Sequence, residues 1–221
     1  MSIMEPHTQP PHCTLRGPVL PVAYQNPLPH LQRWLRGDSQ RLLALRCVAS
    51  LGLRDAWLAA GFVRNLAWDR LHGYRGATPL ADLDLIHFNP DDLAPEADLR
   101  IEQALRRMAG HLPWSVKNQA RMHLRNGDDP YRDSRDAMSH WPEVQTAIGV
   151  RLRPGGGIEI ATPFVQSGLL DLRITPNPLH PRQEAFSERL REKGWLQRWP
   201  RLQVDTAPLG CLLHSSHFDE A

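Results

Sequence analysis

Cysteine is scarce: Cys13, Cys47 and Cys211 are odd in number, far apart and form no Cys-x-x-Cys pair. That argues against a structural zinc site or a thiol-exchange centre and for a reducing compartment. No apolar run reaches membrane-spanning length, and the start MSIMEPHTQPPHC has neither the basic nor the apolar region of a secretory signal. The chain therefore reads as soluble and cytoplasmic, with no membrane partner. Excess charge is missing too. Lys and Arg number 26 against 24 Asp and Glu, a formal net charge of +2, so nucleic-acid binding would have to come from a local basic patch rather than from a polycation.

Proline is plentiful, and its placement divides the chain. Seven prolines fall within residues 1–29, where little periodicity is found, so that stretch reads as an extended arm ahead of one mixed domain over 30–221. Leu31, Trp34 and Leu35, then Leu42, Leu45 and Val48, recur at helical intervals on either side of Gly37, with Asp38 or Ser39 as a cap. DAWLAAG reads as a short buried strand and FVRNLAWDRLHG as the helix it feeds. ATPLADLDLIHF reads as a second strand, and a helix runs from near Pro95 to Gly110. The segment after Pro113 reads as helical from about Val116, which puts Lys117 and Arg121 on one face, either for phosphates or an RNA backbone or simply for water. DSRDAMSHWPE reads as a short helix, VQTAIGVRLRPGGGIEIATPF as a hairpin across Gly155–Gly157, and LLDLRITPNP as a further strand. A last helix ends at Gly194, before a Trp-rich segment that packs back on the domain.

The chemistry concentrates around Asp82 and Asp84. Two apart on a strand, they point to the same face, and like charges that close raise each other's pKa unless a cation lies between them. The face is either solvated or holds metal. Upstream, Gly61 stands where a strand feeds a helix, whose first amides are free to hold phosphate. Arg64 is either a phosphate ligand or the partner of Asp82 or Asp69 in a salt bridge. Two other features carry little. Cys211, His214 and His217 lack a nearby fourth metal ligand, and of the seven tryptophans Trp57 and Trp68 read as core.

Ala60-Gly61-Phe62-Val63-Arg64-Asn65, then Asp82-Leu83-Asp84, then Gly157-Ile158-Glu159-Ile160-Ala161-Thr162, resembles the head domain of CCA-adding enzymes and bacterial poly(A) polymerases. The order of the motifs and the twenty-one residues from Gly61 to Asp82 agree with that pattern. RNLAWDRLHG, SVKNQARMH, WPEVQTAIGVRL and DLRITPNP resemble more closely a bacterial family of small stand-alone nucleotidyltransferase-like proteins of unassigned substrate, over roughly residues 38–204.

The resemblance implies an α+β, polymerase-β-like nucleotidyltransferase fold, a mixed sheet flanked by helices with the carboxylates at one edge. It also implies Mg²⁺ or Mn²⁺ on Asp82, Asp84 and Glu159, the three converging from adjacent strands on one cleft. Gly61, Arg64 and Asn65 would border that cleft on the phosphate side. Two such ions about 3.5–4 Å apart would clamp the attacking and leaving oxygens as NMP passes from an NTP to a hydroxyl of RNA, a small molecule or a protein. Two departures stand out: Ala60 replaces the first glycine of the pair, and Asn65 replaces the aspartate after the arginine. The chain matches the head alone, so a complete CCA-adding activity is not expected. A nucleotide- or RNA-binding regulator that has lost efficient catalysis is the alternative. An Asp-x-Asp glycosyltransferase ranks last, since it leaves the Val63-Arg64-Asn65 helix and the GIEIAT strand without a role.

Overall fold

The computed structural model describes residues 27–164, 168–180 and 184–205; the proline-rich arm through residue 26 and the Cys211, His214, His217 cluster lie outside them. Helix α1 (Leu28–Arg36) buries Leu31 and Leu35, one turn apart. Gly37 separates it from α2 (Ser39–Ser50), where the Asp38 side chain accepts from the Arg41 amide as N-cap. Arg41 is buried, which is tolerable because its guanidinium donates to Asp38 Oδ2 at 2.6 Å and to the Phe62 carbonyl at 2.8 Å.

Strand β1 (Trp57–Ala59) turns directly into α3 (Gly61–Leu71). Every residue of α3 from Phe62 to Asp69 is buried, the mark of a helix covered on all sides. Next come β2 (Leu83–His87), α4 (Pro95–Met108) and β3 (Trp114–Asn118), a parallel pair joined through its crossover helix. Two short helices, α5 (Met122–Asn126) and α6 (Ser134–Ser139), precede the hairpin of β4 (Gly149–Leu152) and β5 (Ile158–Ala161). The chain then runs through β6 (Arg173–Ile174), α7 (Glu184–Lys193), α8 (Trp195–Arg198) and β7 (Gln203–Val204). The five-stranded sheet has the order β3-β2-β1-β4-β5, mixed as the sequence implies, and β6 and β7 form a small parallel pair.

Strand alternation sorts the sheet into two faces. Leu83 and Leu85 of β2, Leu58 of β1, Val116 of β3 and Val150 of β4 join α2, α3 and α4 in a core that reaches from Leu31 to Leu202. On the other face Trp57, Ala59 and Ile86 pack with Met138 and Ala147, partly covered by Trp141 and Phe164. The rest of this second face is a polar strip bearing Asp84, Ser115 and Lys117.

Two expectations change here. Residues 114–118 form a strand, not the start of a helix, because they pair in parallel with β2 from Leu83↔Trp114 to His87↔Asn118, and this long-range ladder outweighs local propensity. The second strand is also shorter than ATPLADLDLIHF, beginning only at Leu83. The Trp-rich end does pack back. Trp199 meets Trp68 edge-on at 5.0 Å, and its indole donates to Asp69 Oδ1 at 2.8 Å.

Candidate functional site

The polar strip opens into a cleft of about 460 Å³ between the second sheet face, α5 and α7. Ala60, Asp84, Ser115, Lys117, Thr146 and Arg189 are among its lining residues, and His140, Trp141 and His180 stand along it. The pairing Asp84↔Ser115 and Ile86↔Lys117 explains why Lys117 shares the aspartate's face.

Asp84 is half-buried on β2, and Asp82 is exposed immediately before the strand. Burial, and then the neighbouring charge of Asp82, pushes Asp84 up to about 6, with Lys193, Arg64 and Arg189 pulling the other way. Two hard-oxygen donors whose charges repel, one exposed and the other half-buried in the cleft, suit a divalent cation that keeps some waters and takes others of its ligands from phosphate. The donor set therefore fits Mg²⁺ on Asp82 and Asp84. Among the described residues, however, no three His, Cys, Asp or Glu side chains group as a metal site.

Glu159 does not join the pair. It shares the face of Asp84, yet it lies on β5, with β1 and β4 between it and β2, so the expected convergence from adjacent strands does not occur. Its Oε2 accepts from Arg151 at 2.7 Å and from Arg153 at 2.9 Å, and these bonds hold its carboxyl far below the usual range, at about 2. A sheet edge carrying two arginines opposite one glutamate satisfies that charge without metal.

At the turn from β1 to α3 Ala60 adopts φ 54°, ψ −119°, a conformation suited to glycine and strained for alanine. Its carbonyl accepts from the amides of Val63 and Arg64, and as the first residues of the helix Gly61 and Phe62 have amides with no acceptor in the preceding turn. Ala60 itself lines the cleft.

Arg64 is not paired with Asp82 or Asp69. Its Nη1 donates to Thr146 Oγ1 at 2.8 Å, while Nε and Nη2 donate to Asn65 Oδ1 at 3.3 and 3.1 Å. Its guanidinium carbon lies 5.0 Å from the Trp68 ring and 4.5 Å from the Trp195 ring. Desolvation lowers this buried cation to about 10. Asn65, where the pattern has aspartate, thus orients the arginine. Asp69 serves elsewhere, accepting from the amide and the hydroxyl of Thr78 and from Trp199.

Arg121 belongs to the helix-covered face. It pairs with Asp98, which also accepts from the Asn118 amide at 3.1 Å and meets His87 Nε2 at 2.8 Å. Its grouping with Lys117 therefore ends with the helix that was expected to carry both.

Three participants went unnoticed in the sequence: Thr146, Glu143 and Arg189. Glu143 is fully buried; its Oε2 accepts from Thr146 and its Oε1 from Arg189 Nε at 2.5 Å. The sequence pointed to a helix there, and nothing local tied Arg189 to Glu143, forty-six positions earlier.

No helix among the described residues is long and apolar enough to cross a membrane. A structure solved by NMR and described as revealing a CCA-adding enzyme head domain matches 81% of this chain and 96% of its own, at 33% identity and a TM-score of 0.73. More distant is a structure of a tRNA-processing enzyme complex, 17% identical over 73% of this chain and 43% of that one, with a TM-score of 0.46. No curated protein sequence matches. Residues 46–204, well over half the chain, match the sequence model of a family described as Nucleotidyltransferase, and together with the head-domain fold this shows that the chain belongs to the nucleotidyltransferase family.

Proposed function

We propose that the protein is a metal-dependent nucleotidyltransferase that moves NMP from an NTP to a hydroxyl acceptor, using Asp82 and Asp84 to hold Mg²⁺ or Mn²⁺. The observation that carries this reading is Asp84, raised by burial and by the neighbouring charge of Asp82, in a cleft whose wall includes Ala60, the residue directly before the first amides of α3. The metal would supply charge neutralisation at the transferred phosphorus and activation of the attacking oxygen. The chain's own groups supply the rest. The Gly61 and Phe62 amides and the helix dipole favour anionic oxygens beside Asp84, and Lys117 adds a cation on the same face. Arg64, desolvated between two indoles, adds a fixed positive charge behind them. The acceptor is RNA, a small molecule or a protein; the head-domain likeness favours RNA.

A second reading is a nucleotide-binding protein of low catalytic power. The observation that favours it is Glu159, ion-paired at the far edge of the sheet and so not a third carboxylate for a second ion. Pyrophosphate release from each of the four NTPs, with Mg²⁺ or Mn²⁺ and total cellular RNA, separates the two. Release that disappears in Asp82→Asn with Asp84→Asn supports transfer. Tight NTP binding with no release beyond that of the double variant supports the regulator.

A further inference from the structure

Two buried side chains, Thr146 and Glu143, link the motif arginine to Arg189 in the wall of the cleft. Arg64 Nη1 donates to Thr146 Oγ1, Thr146 Oγ1 donates to Glu143 Oε2, and Glu143 Oε1 accepts from Arg189 Nε. The two arginines at the ends of this chain differ in what they have left to offer. All three nitrogens of Arg64 donate to protein atoms, and it is buried between Trp68 and Trp195. A phosphate ligand needs an exposed edge of the planar fork. Arg189 lines the cleft with its side chain 32% exposed. It spends only Nε on Glu143, and its two terminal nitrogens make no hydrogen bond among the described residues. Glu188 and Glu192 line the same cleft, and neither is ion-paired with it.

The Glu143 carboxylate makes sense only with its partners. A fully buried charge is costly unless paired and hydrogen-bonded, and here both oxygens are used. The backbone of Glu143 is anchored as well, bridging to Pro176. The result is an arginine whose Nε is fixed to a buried, fully bonded carboxylate while its partly exposed side chain lines the cleft that also holds Asp84. That is preorganisation for a tetrahedral, multiply charged oxyanion.

We propose that Arg189 of α7, oriented by the buried Glu143, is the arginine that binds the triphosphate in this cleft, and that Arg64 serves as a brace rather than as a phosphate ligand. This rests on the reading of the cleft as an NTP site. Arg189 is a binding residue; Glu143 and Thr146 position it.

Calorimetric titration with Mg²⁺–ATP, inorganic tripolyphosphate and AMP tests the assignment, beside the shift in melting temperature caused by Mg²⁺ alone. Arg189→Lys keeps the ion pair with Glu143 but loses the fork. It should weaken ATP and tripolyphosphate binding about tenfold or more, the loss of a charge-assisted, two-point contact, and weaken AMP binding much less. The response to Mg²⁺ alone should match the wild type, which a merely structural role would not predict alongside the triphosphate loss. Arg189→Gln combined with Glu143→Gln leaves no buried unpaired charge and should reproduce the effect; if that pair fails to fold, Arg189→Lys decides. Wild-type affinity for ATP and tripolyphosphate in Arg189→Lys overturns the inference and leaves the NTP reading standing. If the wild type binds neither ligand, both fall.

Discussion

Asp84→Asn is expected to stabilise the metal-free protein at neutral pH and to leave it unchanged in acid. Asp84 titrates at about 6 in the fold against an ordinary 3.8, because burial and Asp82 penalise its charge. Each pKa unit corresponds to about 1.4 kcal/mol, so the folded state above pH 6 carries about 3 kcal/mol of unfavourable charging. The sign follows from the direction of the shift. Below pH 3.8 the carboxyl is neutral folded and unfolded, and nothing is lost. As pH rises from 3.8 through about 6 the folded state binds more protons than the unfolded one, so stability falls; above that it levels off. Asparagine removes the charge but forms no better hydrogen bonds, so a gain of about 1–3 kcal/mol is expected, roughly 2–12 °C in melting temperature for a chain of this size. Melting curves of both proteins from pH 3.5 to 8, in chelator, measure it. Equal shifts at both ends of the range, or a variant that melts lower at pH 7.5, would refute the reasoning. With Mg²⁺ the order should reverse, since only the wild type gains by binding the ion in its native state.

Other substitutions test the remaining assignments. Ala60→Gly relieves the strained φ of 54° and should raise stability by about 1 kcal/mol after glycine's extra unfolded-state entropy, read as a higher urea midpoint; a lower midpoint means the turn is not strained. Glu159→Gln breaks only partly exposed pairs with Arg151 and Arg153, so stability should change by less than about 1 kcal/mol and pyrophosphate release should persist; loss of release restores Glu159 to the site. Asp98→Asn strips charge from a buried cluster of His87, Arg121 and the Asn118 amide and should cost about 3–5 kcal/mol in urea denaturation, whereas a near-neutral effect would mean the cluster is solvated.

The local part of the site was legible in the sequence. The turn at Gly61, the helix behind it and the alternation around Asp84 each depend on neighbours within a few residues, and each stands where the pattern put it. The Gly155–Gly157 hairpin likewise needs only its own turn chemistry. Failure began where pairing is long-range. WSVKN alternates apolar and polar residues only from Trp114 to Lys117 before a 3₁₀ turn, so nothing local distinguishes the strand from a helix start, and only its partner β2 decides. Glu159 sits in the strand the family pattern expects, but sheet order, invisible to spacing, puts two strands between it and Asp84. Glu143 carries no local signal of burial, since its partner Arg189 arrives from a helix forty-six positions later.

The central claim is nucleotidyl transfer at the Asp82 and Asp84 pair. The most direct measurement is mass analysis of acceptors after incubation of the wild type and of Asp84→Asn with Mg²⁺, the four NTPs and fractionated cellular RNA, small molecules and protein. The account predicts an acceptor that gains the mass of one NMP, with one pyrophosphate released per addition, in the wild type and not in Asp84→Asn. An adduct formed equally by both proteins, or no adduct from any fraction while NTP still binds, would contradict it.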